Sequence, residues 1–259
     1  SLDFSPYAYW RSKKQNPAIW HSHFGTRAVF DMGVVRRLNV PQVATFYGLD
    51  ASWIPTSQPA WKSHYRVLFS KVARVLAEGH HFKKVLQDLG CPEEKVTIQR
   101  IGIDEASIAF QPRQFTHGQT LKIMTVGTFR EKKGIPYAIE ALSLAKKEYS
   151  NIKLTVYGDA HEGDRRDRKE KQRILQAVAE LGMTGNVDFK GHVPFHQIFA
   201  DCYSHHLLLQ PSVTAEDGDT EGGFPVIISE MLASGMPVVS TFHCDIPEVR
   251  SEEHTSELQ

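Results

Sequence analysis

The stretch that most constrains this chain is Glu216 to Thr241, EDGDTEGGFPVIISEMLASGMPVVST. An acidic, glycine-rich loop leads into an apolar helix. Pro225 suits its first turn, where a missing N–H costs nothing. Gly235 marks the helix end, and Met236 to Thr241 reads as a short, buried parallel strand. Such a loop offers backbone N–H groups at the positive end of a helix, a ready site for phosphate. Within the helix Glu230 stands among Val226, Ile227, Ile228, Met231 and Leu232. A carboxylate in those surroundings is costly unless something hydrogen-bonds it, and no partner is evident in the sequence. A polyhydroxylated ligand would supply one.

Composition narrows the class. With 30 Lys+Arg against 30 Asp+Glu, the 259 residues carry no bulk signal for nucleic acid. The three cysteines, Cys91, Cys202 and Cys244, are scattered and odd in number, which suits buried thiols in a reducing compartment better than a disulfide framework. No run approaches the roughly 18 apolar residues of a membrane span, and the start lacks signal-peptide blocks. A cytoplasmic protein is expected, with a place at the inner face of the membrane left open. Both ends read as cut, with Ala18 following a polar loop. The last ten residues, Arg250 to Gln259, resemble translated sequencing adapter and are set aside as a non-native tail.

The rest of the chain alternates strand and helix. Strands are expected at Ala18–Phe24, Gln42–Phe46, Ala73–Ala77 and Val96–Ile101, with helices at Thr26–Leu38, His64–Ser70 and Phe82–Leu89. After a polar, turn-rich linker the alternation restarts: strands at Leu121–Val126, Ile152–Tyr157, Val187–Phe189 and Leu207–Gln210, helices at Ile135–Tyr149, Arg166–Leu181 and Phe195–Ala200. This is the pattern of parallel sheets wound with helices. The domains are expected at 1–112, an incomplete first α/β domain, and 113–249, a second one, with 250–259 as the tail.

A second candidate site lies between strand and helix at Val126–Gly134, VGTFREKKG, where Arg130, Lys132 and Lys133 sit at a helix N-terminus as a clamp for diphosphate. Together VGTFREKKGIPYAIEAL, LTVYGDA, VDFKGHVP and EGGFPVIISEMLASGMPVVST resemble the successive motifs of retaining GT-B glycosyltransferases related to glycogen synthase and sucrose synthase. HSHFGTRAVF, ATFYGLDAS and RIGIDEASIAF are similar to the first domain of the bacterial polysaccharide-assembly branch. The resemblance implies an α/β, GT-B-like fold of two Rossmann-like domains with parallel sheets facing a crevice. It implies sugar transfer, with retention of configuration, from a nucleotide-diphosphate sugar to a glycan or lipid-linked acceptor, without cofactor or metal.

Residue by residue, the resemblance makes Glu221 the group that meets the donor sugar's hydroxyls and Glu230 the one that holds the ribose. Lys133 would meet the diphosphate, with Arg130 beside it. Backbone amides around Gly222, Gly223 and Phe224 would face sugar and phosphate, and His23 and Tyr47 are first-domain contacts. Eight residues separate Glu221 from Glu230, one more than is usual in the family, and a glycine in the loop can absorb the extra one. Thr128 replaces the arginine common after the first glycine of the basic loop, and Tyr47 replaces a histidine. Asp217-x-Asp219 reads as a solvated loop. The six basic and three acidic residues of Asp164–Arg173 read as a solvated helix face, with peripheral membrane contact of a longer parent left open. The alternatives are a nucleotide-sugar epimerase, a phosphorylase, or a catalytically silent nucleotide-binding module. The chain as it stands, lacking closing helices after Val249, is expected to be inactive.

Overall fold

A computed structural model describes residues 5–253. Contacts divide the chain into two units, one comprising 1–101, 216–224 and 244 onward, the other 102–215 and 225–243. The division is finer than a single boundary at 112/113. The loop carrying Glu221 belongs with the first unit, and the chain returns to that unit at Cys244.

The first unit begins with α1 (Pro6–Gln15), where a polar loop is expected. Ser5 caps it through the Ala8 N–H, Pro6 opens it, and left-handed Asn16 closes it. The sequence carries helix signals at both ends there, but none of the helix's residues is buried, so the apolar period was missing. Then follow β1 (Trp20–His23), α2 (Gly25–Leu38), β2 (Gln42–Thr45), the short helices α3 (Gly48–Ala51) and α4 (Trp53–Ser57), α5 (Ala60–Lys71), β3 (Arg74–Ala77), α6 (His80–Asp88) and β4 (Val96–Ile98). The four strands form one parallel sheet in the order β1-β2-β3-β4. Its core is aromatic: Phe46, Tyr65 and Phe69 are fully buried and meet edge-on or tilted. Gly25 opens α2 because a Cβ there would lie 2.0 Å from the Phe46 ring.

The second unit runs β5 (Leu121–Val126), α7 (Ile135–Glu148), β6 (Ile152–Tyr157), α8 (Arg165–Glu180), β7 (Val187–Gly191), α9 (Phe195–Cys202), β8 (Leu207–Gln210), α10 (Val226–Ala233) and β9 (Val238–Ser240). All its strand pairs are parallel, in the order β7-β6-β5-β8-β9. Ile123, Leu154, Val156 and Leu209 pack against Ile135, Ala138, Ile139 and Leu142 of α7 and Ile174 of α8. The strand order reverses between β5 and β8, and open α/β sheets bind ligands at such a switch point, beyond the strands' carboxyl ends. The α8 face is less solvated than its charge suggests, because Asp167 and Glu170 are buried.

The chain closes with α11 (Ile246–Glu253) in the first unit. Arg250 to Glu253, assigned from sequence to the tail, continue this helix, and residues 254–259 lie outside the described residues.

Candidate functional site

In the second unit the loop after β5 is shaped by backbone packing. Gly134 has φ 65°, and a Cβ there would lie 1.8 Å from the Pro211 carbonyl oxygen, so only glycine fits. The Val213 N–H donates to the Lys132 carbonyl at 2.9 Å, tying this loop to the segment after β8. The two segments flank the switch point of the sheet. The stem of Lys133 lies across Gly127, where a Cβ would meet its Cγ and Cδ at 3.1 Å. Among the described residues no side chain caps the N-terminus of α7, which leaves its positive end suited to an anion.

Arg130 has a different fate from the one expected. Its guanidinium pairs with Asp164 at 2.5 Å and with the fully buried Asp167. Both aspartates belong to the start of α8, where Asp164 also caps the helix through the Arg166 N–H. Arg130 therefore brackets the basic loop to α8, and the sequence reading of a phosphate clamp is corrected to an ion pair within the fold.

Glu230 sits on α10, half-buried as its apolar neighbours suggest. Among the described residues its carboxylate has no hydrogen-bond or ionic partner, and burial alone raises its pKa above the ordinary carboxylate value.

In the first unit the turns after β1 and β2 are joined by one carboxylate. Asp50 is 1% exposed and accepts the N–H of Gly25 at 2.5 Å and of Tyr47 at 2.8 Å. Desolvation nevertheless dominates and pushes it up to about 7. His23 Nδ1 and the Tyr47 hydroxyl are 2.6 Å apart, so the two first-domain candidates are brought together. The Glu221 loop packs on the same turn: a Cβ on Gly48 would lie 2.5 Å from the Glu221 carbonyl oxygen, and one on Gly222 2.3 Å from Gly48 Cα.

One amide of this loop is engaged. Gly222 N–H donates to Thr220 Oγ1 at 3.2 Å, and Gly223 packs against the Glu78 side chain, where a Cβ would lie 2.1 Å from Oε2. The expectation that the Gly222 amide faces a sugar or phosphate is corrected, because the Thr220 hydroxyl of the same loop takes it. Phe224 is buried. Asp219, expected in a solvated loop, is 2% exposed.

Asp50, Glu78 and Asp245 were not singled out from sequence, yet all three organise this region. Asp245 accepts the His81 and Phe82 N–H groups at 2.7 and 3.3 Å, and Glu248 accepts from His80 N–H at 3.1 Å and Arg100 at 3.2 Å. Together they cap α6 from residues far along the chain.

Two family profiles cover the sequence: one described as glycosyltransferase family 4 matches residues 1–107, and one described as glycosyl transferases group 1 matches residues 108–258. The chain belongs to the group 1 glycosyl transferases. The group 1 profile alone spans more than half of the sequence. Among curated relatives, the amylovoran biosynthesis glycosyltransferase AmsK of Erwinia amylovora is 32% identical over 236 residues, covering 89% of this chain and 54% of AmsK. Mycobacterium tuberculosis glycogen synthase is 22% identical over 232 residues, 87% of this chain and 52% of the synthase. The chain thus spans about half the length of the curated relatives it matches. Among solved structures, Anabaena HepE in complex with UDP superposes with a TM-score of 0.73 at 16% identity, covering 93% of this chain and 64% of HepE. The α/β fold with two parallel sheets is that of GT-B glycosyltransferases.

Proposed function

We propose that the full-length parent of this group 1 chain transfers a sugar from a nucleotide-diphosphate sugar to a glycan or lipid-linked acceptor, with retention of configuration. The observation that carries the reading is Glu230: a half-buried carboxylate with burial as its sole perturbation fits a ligand rich in hydroxyls, such as a ribose. UDP, present in the HepE complex, gives the donor class to try first.

In this reading Lys133 and the uncapped N-terminus of α7 neutralise charge developing on the diphosphate as the sugar–phosphate bond breaks. Glu221 orients the sugar while positive character grows at its anomeric carbon. The acceptor oxygen bonds to that carbon, and its proton passes to the departing diphosphate on the same face, so no protein nucleophile, metal or cofactor is needed. Arg130 contributes by bracing the lysine loop. Among the described residues no helix is long and apolar enough to cross a membrane.

The test is incubation of the parent with a panel of nucleotide sugars and acceptors, read by mass spectrometry. Lys133→Ala and Glu221→Ala are each expected to lower turnover by about 100-fold or more with the fold intact. Unchanged turnover in both variants would refute the site assignment. Conversion of donor without acceptor would point to an epimerase, a pyridoxal phosphate absorbance band to a phosphorylase, and no donor-dependent product to a silent module.

A further inference from the structure

Phe24 occupies a place in the backbone that suits a phenylalanine poorly. It follows the last residue of β1, precedes the first of α2, and has φ 70° and ψ 132°. Glycine takes a positive φ at no steric cost, whereas a bulky side chain is strained by it. The surrounding fold imposes the conformation from both sides. The Phe24 N–H donates to the Thr45 carbonyl at 2.9 Å, and the Phe24 carbonyl accepts the Ala28 N–H at 3.0 Å. The next N–H, of Gly25, donates to Asp50 at 2.5 Å. The core does not require the ring either, since Phe24 is 47% exposed. A lone exposed aromatic is ordinary on a protein surface. One held there in a strained backbone serves neither packing nor chain geometry, and such outliers gather at ligand clamps.

The neighbours indicate which ligand would suit it. The Phe24 ring lies 4.7 Å from that of Tyr47, tilted by 51°. The exposed His23 ring is parallel to Tyr47 within 12°, with Nδ1 2.6 Å from the hydroxyl, and the His21 ring follows at 4.4 Å. These groups stand at the carboxyl ends of β1 and β2, beyond which open α/β sheets take their ligands. A pyranose has C–H groups on one face and hydroxyls around its rim, which matches an apolar ring beside an imidazole and a phenol. We propose that Phe24 is the stacking platform of a sugar subsite on the first unit, with His23 and Tyr47 as the polar contacts at its rim. That the ligand is a sugar rests on the proposed function, whereas the strain and exposure of Phe24 do not. The sugar belongs to the acceptor glycan or to the donor, and the two sources are separable by experiment.

The test is saturation-transfer NMR on the 259-residue chain. Methyl glucoside and methyl galactoside stand for the acceptor, and UDP-glucose, the ligand of a solved HepE complex, for the donor. Saturation of the wild-type aromatic protons should reach the C–H protons on one face of the sugar. Phe24→Ala keeps the strained Cβ and loses the ring, so affinity should fall about tenfold, while Phe24→Tyr should retain it. A loss for the glycosides alone supports an acceptor subsite, and a loss of the glucose signals of UDP-glucose supports a donor one. Equal affinity of wild type and Phe24→Ala for all three probes, or binding of none of them, would overturn the subsite. Phe24→Gly relieves the strain, so its urea midpoint should equal or exceed that of wild type. A lower midpoint would show that the ring serves the fold, and would overturn the proposal. In the parent, Phe24→Ala should raise KM for the sugar held there about tenfold with kcat little changed, and an unchanged KM for both substrates would count against the subsite. A wild-type parent that forms no product would instead count against the proposed function, and would leave the NMR binding result standing.

Discussion

Glu78 in the first unit and Glu230 in the second are both carboxylates removed from water, both with raised pKa values, yet their surroundings differ in kind. Glu78 lies against Gly223 and stands among other acids of the first unit, so its surroundings are set by the fold. Glu230 is perturbed by burial alone and has nothing to bond to among the described residues. A charge that a protein maintains without an internal partner lowers stability unless a ligand completes it. The contrast separates a residue that shapes the chain from one that waits for something outside it. Arg130 falls on the Glu78 side of this division, because Asp164 and Asp167 already satisfy it.

The division can be broken most sharply at Arg130. Arg130→Ala leaves Asp167 buried without its cation and should cost about 3 kcal/mol of stability in urea titration. A loss below about 1 kcal/mol would show that the pair is not structural. Next in size is Glu230→Ala, measured in the parent by calorimetry with UDP. Affinity should fall about 30-fold, roughly 2 kcal/mol, whereas stability should stay level or rise slightly, since a helix-favouring alanine replaces an unsatisfied carboxylate. Loss of stability with unchanged affinity would put Glu230 with Glu78.

The smallest effect expected is on pH dependence. Asp50 and Glu78 are both raised to about 7 in the folded chain, above the ordinary carboxylate value near 4. Between those values the native state holds more protons than the unfolded state. The stability they contribute is complete below the ordinary range and is lost as pH rises through about 7. The urea midpoint should therefore decline between pH ~5 and ~8, and Glu78→Gln should make that decline shallower. A slope identical in wild type and variant would remove Glu78 from the account.

The second unit was the more legible from sequence. The strand Leu207–Gln210 matches β8 end to end, because three consecutive leucines and a glutamine, bounded by histidine and proline, are too short a run for a helix. Glu230 was found by the same logic, as a charge out of place in an apolar helix. Glu78, in LAEGHH, looked like an ordinary acid at a turn, since nothing local reveals that Gly223 will arrive beside it. Asp245 was equally silent, its partners being amides of α6 more than 160 residues earlier. Arg130 was misread for a related reason. A cation at a helix N-terminus suggests phosphate until the next helix supplies two aspartates. Periodicity reports which face a residue occupies, and it carries nothing about long-range partners.

The first unit is assembled from three separated stretches of chain, and this has a consequence for synthesis. Asp50, Glu78 and the start of α6 emerge from the ribosome well before Gly223 and Asp245. At about 5–20 residues per second the delay is on the order of ten seconds. During that interval the N–H groups of His81 and Phe82 lack the carboxylate that caps them. Those contacts span large sequence separations, so their closure comes late and slowly. The same feature that joins the Glu221 loop to the first unit leaves the cap of α6 to be completed only when a much later stretch of chain arrives.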